Sequence, residues 1–261
     1  MERAFDHAQR EALTGEYRLA AEPSDNRDYS LPAVGLLDNE AAIGYLERVN
    51  AIFEASTRTA TASLFAKRYS CLTLASSLYA MGAYDIGMNV EIGNCHVESH
   101  HQGRAWLPRL RLEDWATTKP AEGDRERWRD DVLRGIFAGN LTRVWQSLAK
   151  AGPVSKAVLW ENTAIYVFWL YESKFEEGLG DEAVARIRDD YDYIVRRAPG
   201  ELFGETRNPL TKFDGPMVVT SASEKPLRLR KTCCYYYQAT DEPYDYCPSC
   251  PKIKQEVLVG S

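Results

Sequence analysis

TRTATASLFAKRYSCLTLASSLYAMGAYD, residues 57–85, decides the fold class. Leu64, Phe65, Tyr69, Leu72, Ala75 and Tyr79 recur largely at three- and four-residue steps, the period of a largely buried helix. Gly82 is expected to end or loosen it. A second run, VSKAVLWENTAIYVFWLYESKF (154–175), opens after Pro153 and is apolar most of the way round. Such a helix has no wet face and belongs at the centre of a body.

Around these two, weaker signals add helices. The first thirty residues carry a short amphipathic candidate, followed by the turn-rich AEPSDNRDYSLP. Asp38 reads as an N-cap with Ala41 close behind. Residues 122–150 are helical and charged on one face, and residues 182–197 end at Pro199 and Gly200. IGMNVEIG (86–93) and RAWLPRLRLEDW (104–115) alternate as half-buried strands do, with Pro108 suggesting an edge. MVVT (217–220) and LRLR (227–230) are two further short β-like runs. The expected fold is therefore α+β: a mainly helical body with a few short strands, residues 1–221, and a small irregular C-terminal unit, residues 222–261.

The chain has 261 residues and 44 % hydrophobic residues, so it can bury a sizeable core. A net charge of −6 argues against nucleic acid as a main partner, because phosphate binding needs a cationic field. The N-terminal residues have no apolar run of the kind a secretory signal needs. The longest apolar run, Ala164 to Tyr171, is too short to span a bilayer, so no transmembrane segment and a cytoplasmic protein are expected.

Chemistry concentrates in KTCCYYYQATDEPYDYCPSCPK (231–252). Cys233 and Cys234 are adjacent, Cys247 and Cys250 form a C-x-x-C pair, and together they are four of the six cysteines. In a reducing compartment such clusters are metal ligands or redox groups more often than disulfides. Zinc sites usually draw on two separated C-x2–4-C knuckles, whereas an adjacent pair crowds one small ion and suits a larger two-iron cluster better. Structural zinc stays an alternative; a strained vicinal disulfide is the weakest reading.

The segment RKTCCYYY followed by YCPSCP resembles the C-terminal signature of the FhuF family of ferric siderophore reductases. More loosely, SLFAKRYSCLTLASSLYAMGAYDIGMNVEIGN is similar to that family's long helix and following strand. LWENTAIYVFWLY (159–171) and LFGETRNPL (202–210) are similar to its Trp-x-Asn helix start and Arg-Asn-Pro-Leu turn. The resemblance implies a [2Fe-2S] cluster on Cys233, Cys234, Cys247 and Cys250, which are then both metal ligands and the route of the electron. Twelve residues separate Cys234 from Cys247, a longer loop than the family's pattern. The implied reaction is one-electron reduction of a ferric siderophore, of hydroxamate type, with Fe(II) released in the cytosol. Such a cluster carries a charge of about −2, and about −3 once reduced. Lys225, Arg228, Arg230 and Lys231 just upstream would stabilise it, while Tyr235, Tyr236, Tyr237, Tyr244 and Tyr246 crowd the same loop.

From the family-like segments, Lys67, Arg68, Trp160 and Asn162 are the candidates for contacting the substrate. No G-x-G-x-x-G follows a strand and there is no P-loop. Electrons must then come from an external donor: a ferredoxin, a flavodoxin or a reductase. Two other functions are compatible with the same cysteines, a zinc-stabilised siderophore- or partner-binding protein and an iron–sulfur electron carrier. NCHVESHH (94–101) places His96 and His100 four apart, which suits a metal only on a helix, and this stretch reads as a loop. Cys71 reads as a packed core thiol.

Overall fold

Thr57 sets where the longest helix begins: its hydroxyl accepts the Ala60 N–H at 3.2 Å, and the helix runs to Asp85, which takes a left-handed conformation. In a computed structural model of the chain, which describes residues 5–103, 105–175, 179–221, 223–242 and 245–253, the α-helices are α1 (His7–Gly15), α2 (Asn39–Phe53), α3 (Arg58–Tyr84), α4 (Arg125–Ile136), α5 (Thr142–Ala151), α6 (Lys156–Ser173) and α7 (Asp181–Asp192). The strands are β1 (Leu19–Ala20), β2 (Tyr29–Pro32), β3 (Gly87–Met88), β4 (Cys95–Ser99), β5 (His101–Gln102), β6 (Ala105–Trp106), β7 (Arg109–Leu112), β8 (Thr117–Thr118), β9 (Met217–Thr220) and β10 (Ser223–Arg228).

The expected mainly helical α+β architecture is what the chain adopts. Helices α3 and α6 pack along each other at the centre. Their contact is lined with small polar residues whose hydroxyls are satisfied locally: Ser70 meets Thr163 at 3.2 Å, and Thr163 donates to the Leu159 carbonyl. Small side chains let the helix backbones approach closely, which is why both helices are buried nearly all round. Gly82 does not end α3. It lies inside the last turn, where an added Cβ would meet Phe175 at 3.0 Å, so its smallness serves packing. Asp38 caps α2 as expected, accepting from Ala41 N at 2.8 Å.

A four-stranded sheet, ordered β1-β7-β4-β2, covers one side of the bundle. Two expectations change here. The strand expected over residues 86–93 shrinks to β3, and the regular strand is β4, in the stretch read as a loop. Cys95-His96-Val97-Glu98 does alternate, but the run is short and Glu98 is buried where that alternation would turn it to solvent. That carboxylate accepts from Ser24 N at 3.0 Å and from Arg111 Nε at 3.2 Å. A charge is stable inside the sheet because it is paired. Strand β7 is internal rather than an edge, because Pro108 stands before it and removes no ladder donor from it. Two of the three histidines of this region pair with carboxylates, His96 with Glu113 at 2.7 Å and His101 with Asp28 at 2.8 Å. Among the described residues they form no metal-holding group.

The chain between α6 and the cysteines is held by its turn. Asn208 donates to the Ile194 and Ala198 carbonyls, closing the π-helical turn Tyr193–Arg197 that follows α7. The Arg-Asn-Pro-Leu turn is thus structural at Asn208. Gly200 packs directly under it: a Cβ there would lie 2.5 Å from Arg207 N and 2.6 Å from Glu205 O. Backbone atoms cannot swing aside, so Gly200→Ala is expected to cost about 1–3 kcal/mol of stability, read as a lowered midpoint in thermal unfolding. Beyond it, β9 and β10 form a hairpin leading into the cysteine segment. No helix among the described residues is long and apolar enough to cross a membrane.

Candidate metal centre and redox site

Glu161 is the single charged residue between Val158 and Tyr171 on α6, and it is 2 % exposed. An ionised carboxylate at such depth needs donors. It finds them in the segment entering the cysteines: Lys231 N at 2.6 Å, Thr232 N at 2.7 Å and the Thr232 hydroxyl. The Arg230 guanidinium lies 3.5 Å away. The next residue along α6, Asn162, is fully buried. Its amide nitrogen donates to both the Ser63 carbonyl and hydroxyl at 3.0 Å, and its oxygen accepts from Arg230 Nη2 at 2.7 Å. Ser63 Oγ in turn donates to the Cys234 carbonyl at 2.9 Å. Arg230 completes the frame through its Nε to the Thr232 carbonyl and its backbone N–H to the Ser249 carbonyl. The two central helices therefore grip both arms of the cysteine segment.

This frame brings the four C-terminal cysteines together. Cys233 Sγ lies 3.9 Å from Cys250 Sγ, and Cys234 and Cys247 share a hydrogen bond. Cys234 and Cys250 are buried, while Cys233 and Cys247 are half-buried. That hydrogen bond, helped by Arg230, the Tyr236 backbone N–H and Lys67, pulls the Cys234 thiol down to about 5. Its partner Cys247 is pushed up, by the same bond and by burial. The thiolate is the form that ligates metal, and the lowered Cys234 favours it. The turn between the two arms is sharp. Tyr235 takes φ 61°, ψ 16°, a left-handed conformation costing about 1–2 kcal/mol in a residue with a Cβ. It directs the Tyr235 N–H to Cys233 Sγ at 3.4 Å.

Among the described residues no three His, Cys, Asp or Glu side chains form a group that would hold one ion. The sulfurs lie in two pairs, an arrangement that fits the thiolate ligation of a two-iron cluster better than four ligands on one zinc. The rest of the segment screens the thiols. Tyr237 and Tyr246 pack with ring centroids 5.0 Å apart, and Lys252 donates to the Tyr237 hydroxyl at 2.8 Å. Tyr236 is exposed, and Tyr244 lies outside the described residues.

Two cavities flank the segment, and Lys67 lines both. The first, about 320 Å³, has Trp169, Arg230 and Cys247 in its walls. The second, about 520 Å³, is bordered by Arg68, Trp106, Tyr236 and the acidic residues Glu242 and Asp245. Burial holds the Lys67 ammonium below its usual range. The other two substrate candidates sit elsewhere. Trp160 is buried against Phe137 and Phe203, with its indole N–H toward Glu205, and touches a separate cavity beside Lys156 and Arg207. The side-chain amide of Asn162 is engaged at both ends by Ser63 and Arg230, so it acts on the frame. Of the basic residues upstream, Arg228 pairs with Glu172 at 2.9 Å, and Lys225 is exposed. Cys71 is half-buried, and burial pushes its thiol up to about 11.

The sequence profile of a family described as "Ferric iron reductase FhuF-like transporter" matches residues 63–212. A curated relative, "Ferric siderophore reductase" of Escherichia coli (strain K12), is 24 % identical over 182 residues, covering 69 % of this chain and 61 % of the relative. The chain therefore spans less than two thirds of that protein's length. The profile match stops before the cysteines, whose role rests on their own motif and geometry.

Proposed function

From the premise that this chain belongs to the FhuF-like ferric iron reductase family, we propose that it is a ferric siderophore reductase. Its substrate is a ferric chelate with hard oxygen donors, of the hydroxamate type, and its cluster ligands are Cys233, Cys234, Cys247 and Cys250. The observation that carries this reading is the convergence of these four thiols on one buried frame. A [2Fe-2S] cluster bound there supplies one electron per turnover. Everything else the protein contributes is positioning and electrostatics. Glu161 and Asn162 fix the ligand arms, the buried Arg230 and half-buried Lys67 favour added negative charge, and the tyrosines limit water.

The chelate docks over the face centred on Lys67, with Arg68 as a second contact, where the first cavity gives it the closest approach to a ligand sulfur at Cys247. Oxygen donors hold Fe(III) tightly and Fe(II) less well, so reduction frees the iron in the cytosol without a nucleophile or general base. The donor is an external ferredoxin, flavodoxin or reductase, since the sequence has neither a dinucleotide-binding glycine motif after a strand nor a P-loop. Protein purified without oxygen is expected to be brown, with iron and acid-labile sulfide in equal amounts and absorbance that bleaches with dithionite. Colourless protein with one zinc per chain would contradict the proposal.

A further inference from the structure

Cys233 and Cys234 are adjacent in a stretch without regular secondary structure, just before the left-handed Tyr235. Of the C-x-x-C turn, Cys250 is the member beside Cys233, their sulfurs 3.9 Å apart, which leaves Cys247 for Cys234. Two thiolates sharing one tetrahedral metal ion at about 2.3 Å stand about 3.8 Å apart. The Cys233–Cys250 separation is already that of two ligands on one ion.

The surroundings of the two pairs differ. Lys67 and Arg230 line one cavity with Cys247. Arg230 is largely offset by Glu161 at 3.5 Å. Lys67 has no carboxylate partner among the described residues, and both Cys234 and Cys247 feel its charge. Cys233 has the Tyr235 N–H and the Lys252–Tyr237 pair nearby, but Lys252 is exposed to water. Lys67 is half-buried and Lys252 exposed, so water screens the charge of Lys67 less. Cys247 also lines the 320 Å³ cavity with Lys67 and Trp169.

We propose that the ligands work as two unlike pairs, Cys233 with Cys250 and Cys234 with Cys247, one pair per iron, and that the Cys234–Cys247 pair holds the iron on which the added electron rests. This assignment builds on the cluster reading above. With a cluster bound, an electron from the external donor would leave beside Cys247, the ligand that lines the cavity, to a ferric ion that becomes ferrous. No covalent bond of the protein forms or breaks.

The test is Mössbauer spectroscopy of the reduced, iron-57-loaded protein and of its four single serine variants. Oxygen is a harder ligand than sulfur and favours Fe(III). Cys233→Ser and Cys250→Ser should alter the ferric signature and leave the ferrous one as in the parent. Cys234→Ser and Cys247→Ser should both disturb the ferrous signature. Grouping of Cys233 with Cys234, or of Cys233 with Cys247, would overturn the pairing. If the serine variants take up no iron, the four-cysteine protein decides through two others. Lys67→Met should shift the reduction potential downward while Lys252→Met leaves it in place; equal shifts, or a larger one for Lys252→Met, would overturn the assignment. A parent protein that holds zinc overturns this inference together with the reductase reading. A cluster with a different grouping removes this inference alone.

Discussion

Glu161→Gln should destabilise the protein by about 3–5 kcal/mol, the range found when one partner of a buried ion pair is removed. The full range applies because neither partner is screened by water: the Arg230 and Glu161 side chains are 4 % and 3 % exposed. The carboxamide keeps one acceptor oxygen but loses the charge. Arg230 is then left with Asn162 and the Thr232 carbonyl, and the Lys231 and Thr232 amides compete for what remains. The loss should be local as well as global. Amide hydrogen exchange at Lys231 and Thr232 should accelerate well before the α3–α6 core opens, and bound iron should be lost faster to a chelator. Wild-type unfolding and wild-type protection at these two amides would show that the carboxylate does not hold the segment.

The second large effect concerns the ligands. Cys234→Ala and Cys247→Ala should each abolish iron binding, since alanine offers no donor and the frame holds no fifth thiol among the described residues. Cys71→Ser and Cys95→Ser should retain iron at the parent's stoichiometry. Cys71 sits on α3, and Cys95 is buried against the Val90 carbonyl and Asn140, away from the C-terminal pairs. Iron and sulfide content measured on the four proteins distinguishes the outcomes. Loss of iron in Cys71→Ser with retention in Cys234→Ala would reassign the ligand set.

The sequence is most legible where burial is simplest. Helices α3 and α6 announce themselves because apolar residues sustained over that length pack comfortably only as a buried helix, and Asp38 is a cap whose mechanism is local. Strand β4 is short, and the burial of its Glu98 depends on the half-buried Arg111 and Ser24, which lie on other segments and leave no local signal. The cysteine cluster is readable from its spacing and its likeness to one family. Its frame is not, because Glu161, Asn162 and Ser63 look like polar residues on apolar helices until residues 230–234 are laid beside them. Glu161 does leave a signal: a lone acid in the otherwise uncharged run 158–171 of a central helix must be paired with something. Trp160 and Asn162, expected to contact substrate, belong to that same helix. A helix buried all round presents such side chains to the core, here Phe137, Phe203 and Arg230. Lys67 lines both cavities beside the thiols, but that dual position depends on where the C-terminal segment docks, which no local pattern reveals.

The central claim, that the four-thiol site passes an electron to a ferric siderophore, is tested most directly by single-turnover mixing. Protein reduced with dithionite and freed of excess reductant is mixed anaerobically with a ferric hydroxamate siderophore and a ferrous trap, while absorbance follows the site. The account predicts reoxidation whose rate rises with siderophore concentration, with one trapped Fe(II) for each site reoxidised. A site that stays reduced, or one that reoxidises at the same rate with and without the siderophore, would contradict it.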